Sequence, residues 1–219
     1  MHITRSFSWT GGIEEAFDPV QALQHAAGSL TALSTKYRDL RHGPHIPQPH
    51  LTVRFAKVHQ LTWVTQQFAH VGSLLWAFPN LRMLRVGHIR LDTPGYGLQG
   101  SGISLDTMQQ HRRFNVSAQT AQSQFVKLDC LEGNILSLWT LGLKCPVDRI
   151  ETAIRSRQDA KVGQLVVLLH DASPKHLVLT TYPRHVKELG RVLNFPTVEV
   201  FELRIDVMDH SDVLAGLVR

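Results

Sequence analysis

The chain has 219 residues, of which 43% are hydrophobic and 19% are charged, with a formal net charge of +5 and a pI near 9.5. This composition excludes a disordered chain, and no uncharged apolar run reaches the roughly 18 residues of a membrane span. Two cysteines, Cys130 and Cys145, are too few for an extracellular disulfide framework and form no close-spaced metal motif. We therefore expect an intracellular, cytoplasmic protein with reduced thiols and no membrane association. No cofactor is expected.

Hydrophobic periodicity predicts both helices and strands in the first half of the chain. Asp18 followed by Pro19 is typical of a helix start, and the apolar residues that follow recur at steps of three and four. This pattern predicts a helix over residues 18–40, and a similar one predicts a helix over residues 58–78. Strands are predicted over residues 3–9, 49–55 and 81–91, followed by a glycine-rich loop over residues 92–102.

The second half of the chain predicts a comparable mixture of elements. Short alternating patterns indicate two or three strands within residues 103–128, and a helix is predicted over residues 146–157. The run from Leu165 to Leu169 is apolar throughout, which favours a central strand covered on both faces. The remaining predictions are a strand over residues 174–182, a helix over 184–193 and a strand over 198–207.

Two of the predicted strands begin with a proline and then carry a histidine. Alternation places His50, Thr52 and Arg54 on one face of the first strand, and His176 and Val178 on one face of the second. An imidazole, a hydroxyl and a cation in one row suit a phosphate site with proton transfer. The alternative is that these polar residues only line a solvent-exposed strand face.

The chain resembles the two-histidine phosphoesterase superfamily, which includes 2′-5′ RNA ligase-like proteins and cyclic nucleotide phosphodiesterases. The matching parts are the element order, the strand Pro49-His50-Leu51-Thr52-Val53 and the partly matching strand Pro174-Lys175-His176-Leu177-Val178. The resemblance implies an α+β fold with two pseudo-symmetric lobes, antiparallel-rich sheets backed by helices, and a central cleft. Residues 1–219 would form one two-lobed domain, with lobes near 1–91 and 145–208 and an insertion or extra strands at 92–130.

The resemblance also implies a metal-independent phosphodiesterase for RNA ends, 2′,3′-cyclic phosphates or 2′-5′-linked nucleotides. His50 and His176 would serve as the catalytic acid and base, and Thr52 would hold a phosphoryl oxygen. Val178 departs from the superfamily, which has threonine or serine at this position. The substrate, RNA or a nucleotide, would bind at Arg54, Lys175, Val178 and Tyr182.

Two other functions remain open at this point. One is a catalytically inactive module of the same fold that binds RNA, because Val178 supplies no hydroxyl. The other is a basic structural or interaction protein in which the histidine motifs are accidental. A cleft that holds both histidines would favour the enzyme, whereas an exposed apolar patch without such a cleft would favour the interaction protein.

Overall fold

The computed structural model describes residues 8–11, 23–37, 53–64, 69–87, 104–122, 125–154, 162–190 and 195–206. The strands in these ranges are β1 (Ser8–Gly11), β2 (Ala32–Tyr37), β3 (Gln60–Val64), β4 (Met83–Val86), β5 (Leu128–Asn134), β6 (Val147–Ile154), β7 (His176–Thr181) and β8 (Val200–Ile205). The helices are α1 (Val71–Ala77), α2 (Leu105–Gln122), α3 (Ile135–Leu141) and α4 (Val162–Ala172). Short 3-10 helices span Gln24–Ala26 and Pro183–Leu189.

The eight strands form one sheet in which each strand pairs in parallel with the next strand of the chain. Consecutive parallel strands need a crossover connection, because the chain must return to the end of the sheet where the previous strand began. The helices α1 to α4 lie in four successive crossovers, from the one after β3 to the one after β6. The sheet therefore grows by one strand with each crossover.

One apolar position recurs in register along the sheet and forms the centre of the core. Its first six members have exposed fractions of 2% or less. The helices cover this face, since Leu74 of α1, Leu138 of α3 and Leu165 of α4 belong to the same buried cluster. Burying one such side chain contributes about 1.5–3 kcal/mol, so the row is a large part of the stabilising energy. The members are Leu33, Leu61, Leu84, Leu131, Ile150, Leu177 and Phe201.

The spacing of this row shows that the chain repeats a unit of one strand and one connection. Successive members lie 28, 23, 47, 19, 27 and 24 residues apart, by subtraction of their numbers. Three residues before the first five members, the chain carries a second buried apolar residue. These earlier residues are Leu30, Val58, Leu81, Leu128 and Val147. An apolar pair with two residues between its members therefore marks the start of each of these strands.

The predicted fold class is wrong. We expected two pseudo-symmetric lobes with antiparallel-rich sheets and a central cleft, but all pairings in the described residues are parallel and belong to one sheet, which makes the fold α/β. The physical reason is that alternation of apolar residues identifies the buried face of a strand, but neither its partner nor its direction. In the described ranges, no helix has the length and apolar character needed to cross a membrane.

Several predicted elements also change type. Strands are confirmed at β4, β7 and β8. The helix predicted over residues 18–40 is wrong, because β2 and a 3-10 turn lie within it. The helix predicted over residues 58–78 divides into β3 and α1, and the one over residues 146–157 is β6. Buried residues three apart, such as Leu30 and Leu33, imitate the spacing of a helix although they lead into a strand.

Candidate functional site on the open face of the sheet

The sheet face opposite the helices, called the open face, carries mostly polar side chains. Except for Asn134 at the end of β5 and Val178, its side chains from β3 to β8 are partly or fully exposed. No helix or strand among the described residues therefore covers most of this face. Its side chains are Gln60, Thr62, Met83, Arg85, Cys130, Glu132, Asn134, Arg149, Glu151, Ala153, His176, Val178, Thr180, Val200, Glu202 and Arg204.

An ion-pair network crosses β6, β7 and β8 on the open face. Arg149 Nη2 donates to Glu151 Oε2 at 3.0 Å within β6. Arg204 Nη1 donates to the other oxygen of Glu151 at 3.0 Å, and Arg204 Nε donates to Glu202 Oε1 at 2.8 Å. Because β7 lies between β6 and β8, the contact between Arg204 and Glu151 passes over β7.

Val178 is the β7 residue beneath this contact. Register pairs it with Glu151 on one side and Glu202 on the other, and its side chain is completely buried. Valine offers no hydroxyl that would compete for the guanidinium of Arg204, so it forms an apolar floor under the network. A ligand on the open face would meet Arg204 before it met Val178.

His176 begins β7 beside the same network. Its Nε2 lies 3.7 Å from Glu202 Oε2, which is longer than a hydrogen bond, and has no hydrogen-bond partner among the described residues. A hydrogen bond from Arg204 holds the pKa of Glu202 below its ordinary value, and the nearby His176 acts in the same direction. Glu202 is therefore an anion at neutral pH, and it lies beside the imidazole of His176.

Opposite charges continue towards the other end of the sheet. Arg85 of β4 lies 2.6 Å from Glu132 of β5. Two further pairs lie at the starts of strands, at positions that alternation does not assign to the open face. These are Arg82 with Asp129 at 3.5 Å and Lys127 with Asp148 at 2.5 Å. The open face thus carries paired charges of both signs and not a patch of one sign.

Only part of the predicted phosphodiesterase site can be located. His50 and Thr52 lie outside the described residues, so their arrangement relative to His176 stays a prediction. Lys175, His176 and Val178 lie together at the start of β7, and Lys175 is exposed.

The other predicted substrate-binding residues lie away from the start of β7. Tyr182 follows the opposite end of this strand. Arg54 is exposed and precedes β3, which is separated from β7 by β4, β5 and β6. The structure therefore does not bring Arg54 and Tyr182 to His176.

The sequence interpretation missed the charged network. Its signal is a pair of opposite charges two residues apart, Arg149 with Glu151 and Glu202 with Arg204, which alternation places on one strand face. The first pair was hidden because residues 146–157 were interpreted as a helix. In the described part of the chain, no group of three or more His, Cys, Asp or Glu side chains is placed to hold a metal ion.

Comparison with known proteins supplies no relative from which a role could be transferred. No family model matches the sequence, and neither a curated protein nor a solved structure is significantly similar to it. The function is therefore inferred from the geometry of the chain itself.

Proposed function

We propose that the chain is a recognition module that binds a partner protein on the open face of its sheet. The observation that carries this proposal is the division of the strands β4 to β8 into two faces. Apolar side chains of β4 to β7 are buried beneath helices, whereas the charged side chains of β4, β5, β6 and β8 are at least partly exposed on the other face. A rigid parallel sheet holds such side chains in fixed positions, as a binding surface requires.

The architecture supports the same proposal by analogy. Parallel strands in chain order, joined by helical connections, are typical of solenoid repeat proteins, which bind partners along the surface that successive units build. The recurring apolar pair resembles the motif of leucine-rich repeats, whose units span about 20–29 residues. Among the functions that the sequence left open, the interaction protein is the one that agrees with this architecture, although its binding surface is polar and charged and not the apolar patch expected from the sequence.

A peptide-display selection against the purified protein tests the proposal. Enriched peptides are then measured for binding to three tryptophan variants. Met83→Trp and Val200→Trp add bulk on the open face, at side chains that are 40% and 53% exposed. The helices α1 to α4 on the other side of the sheet form the helix layer. Val167→Trp is the matched control, because Val167 is 40% exposed on α4 in this layer.

The expected result is that enriched peptides lose binding to at least one open-face variant and bind Val167→Trp as they bind the native protein. Circular dichroism establishes that each variant is folded. Peptides that bind all three variants equally would overturn the proposal, as would a selection that enriches no peptide.

A further inference from the structure

The arginines of the open face are at least as exposed as the glutamates with which they pair. In each of three arginine–glutamate pairs, the arginine side chain has the larger exposed fraction. The pairs are Arg85 with Glu132 (58% and 33%), Arg149 with Glu151 (37% and 29%) and Arg204 with Glu202 (45% and 43%). A partner that approaches this face can therefore reach these guanidinium groups, and that of Arg85 most readily.

The glutamates also fix the orientation of the most strongly held arginine. Arg204 donates from Nε to Glu202 and from Nη1 to Glu151, so two bonds to two strands hold its guanidinium plane. A side chain that is already ordered loses less conformational entropy when it binds a ligand. Arg204 is therefore prepared for binding before any partner arrives.

Donors remain on these guanidinium groups after the internal bonds are made. A guanidinium carries five N–H donors, and Arg204 uses its Nε and Nη1 atoms in the two bonds above. Carboxylates match this planar group, because two oxygens can accept two parallel N–H bonds. Arg149 donates to Glu151 from one nitrogen, Nη2, and offers the same geometry.

The anions between these arginines decide between two kinds of acidic partner. Duplex nucleic acid carries about one charge per 1.7 Å, so its backbone would lie against Glu151 and Glu132 as well as against the arginines. In an extended peptide, side chains on one face are about 6.6 Å apart, so carboxylates can reach single arginines without crowding the glutamates. Charge complementarity therefore favours a peptide.

We infer that the partner presents an acidic segment whose carboxylates bind the guanidinium groups of Arg85, Arg149 and Arg204. This inference rests on the proposed function, since it names the chemistry of the partner for the same open face. The guanidinium groups attract acidic side chains and repel basic segments, and the interspersed glutamates disfavour a continuous phosphate backbone.

Fluorescence anisotropy with a labelled peptide of alternating glutamate and glycine tests this inference. The full-length protein is compared with Arg149→Gln, Arg204→Gln and Arg113→Gln. All three variants lose one positive charge, but Arg113 is an exposed residue of α2 in the helix layer and serves as the matched control. The same peptide with glutamine in place of glutamate controls for backbone binding.

The glutamate peptide is expected to bind the native protein, and to bind Arg149→Gln and Arg204→Gln about tenfold more weakly. Arg113→Gln is expected to bind as the native protein does. Binding should weaken between about 0.05 and 0.5 M NaCl, because salt screens exposed charges. The glutamine peptide should not bind.

Two results would overturn the inference. An equal loss in Arg113→Gln would mean that only the net charge matters. Tighter binding of a single-stranded oligonucleotide, with the same dependence on Arg149 and Arg204, would mean that the open face recognises nucleic acid.

Failure of the inference and failure of the proposed function are distinguishable. One outcome is that the selected peptides lose binding to Val200→Trp, yet contain no acidic residues and bind Arg204→Gln as they bind the native protein. In that case the open face binds a partner, but the partner is not acidic. If no peptide loses binding to the open-face tryptophan variants, both proposals fail.

Discussion

The open face and the helix layer both contain arginine–carboxylate ion pairs, but these pairs differ in burial. On the open face, Arg204 and Glu202 form a pair whose side chains are 45% and 43% exposed. In the helix layer, Arg112 and Asp171 form a pair whose side chains are 12% and 4% exposed. Exposed pairs add little to stability because water already solvates both charges, whereas the loss of one partner from a buried pair leaves the other charge uncompensated. We therefore assign a role in folding to the helix-layer pair, whereas the open-face pair is available for the proposed recognition.

Polar side chains of α2 fasten the neighbouring helices together. The side chain of Asn115 accepts a hydrogen bond from Val71 N and donates to the carbonyl oxygens of Ala69 and Thr140, each at 3.0 Å. One turn later, Gln119 donates to the carbonyl of Gly142 at 2.8 Å and accepts from Lys144 N at 3.0 Å. These bonds join α2 to the start of α1 and to the end of α3.

The carboxylate of Asp171 binds two cationic side chains in the helix layer. It accepts hydrogen bonds from Arg112 of α2 and from Lys144, which follows α3. Arg112 also donates to the carbonyl of Trp139 and lies over the Trp139 ring, 5.3 Å from its centroid. Asp171 thus links α4 to the two preceding helices.

The largest expected change in the free energy of unfolding follows removal of the buried Asp171 carboxylate. Asp171→Ala leaves the largely buried Arg112 guanidinium with the Trp139 carbonyl but without its anionic partner. We expect this change to destabilise the protein by about 3–5 kcal/mol. Asp148→Ala, which removes an exposed partner of Lys127, should cost at most about 1 kcal/mol. Urea unfolding followed by circular dichroism measures both. Equal effects would show that burial does not separate the two regions.

A smaller effect is expected when the α2 amide is removed. Asn115→Ala leaves one backbone N–H and two carbonyl groups without their side-chain partner in the core, and should destabilise the protein by about 2–3 kcal/mol. Ser117→Ala is the control on the same helix, because the Ser117 hydroxyl is exposed and bonds only to Arg113 O within α2. We expect this variant to unfold at nearly the urea concentration of the native protein. A midpoint for Asn115→Ala equal to that of Ser117→Ala would contradict the fastening role.

The two cysteines report on the same contrast. Cys130 lies partly exposed on the open face, whereas Cys145 is buried in the core. Burial raises the pKa of both thiols, that of Cys145 to about 11. At about pH 8, iodoacetamide should therefore modify Cys130 roughly tenfold faster than Cys145, as mass spectrometry of tryptic peptides can measure.

Stability contributed by the neutral Cys145 thiol is present below its unfolded pKa of 9.0 and is lost as the pH rises through about 11. Cys145→Ala should lose less stability than the native protein as the pH rises. Equal alkylation rates of Cys130 and Cys145 would contradict the difference in their burial.

The smallest expected effect is on the free energy of unfolding at mildly acidic pH. Burial, together with the neighbouring His70, lowers the pKa of His111 below its ordinary 6.5. A lowered pKa in the folded state means that the associated stability is present above about pH 6.5 and is lost as the pH falls through the folded value. His111→Gln should therefore lose less stability than the native protein between pH 7 and 5, measured by urea unfolding at each pH. His25→Gln, at an exposed histidine, should follow the native curve.

The sequence determined which residues are buried in several strands. Alternation around Leu177 and Leu179 identified β7, and alternation of Leu203 with Glu202 and Arg204 identified β8. These predictions succeeded because successive side chains of a strand point to opposite faces, which is a local property of the chain. Burial itself differs from strand to strand, since Val178 on the open face of β7 is buried and Ile205 of β8 is 50% exposed.

The predictions failed where the local pattern has two physical explanations. α4 was predicted to be a central strand because its run from Leu165 to Leu169 is apolar throughout, although Val167 is exposed. α2 was predicted to be strands because its buried positions include Asn115 and Gln119, which interrupt the apolar period of a helix. A buried amide is stable only when its hydrogen-bond partners are in place, and α1 and α3 supply several of them.

The tertiary structure alone decided the direction of the strands and the composition of the candidate site. Arg204 and Glu151 are 53 residues apart in the chain and come within 3.0 Å because β6, β7 and β8 are parallel and in register. Pairing in the opposite direction would place different side chains beside each other on the open face. Sequence patterns record the alternation within each strand, but pairing depends on the free energy of the whole assembled sheet.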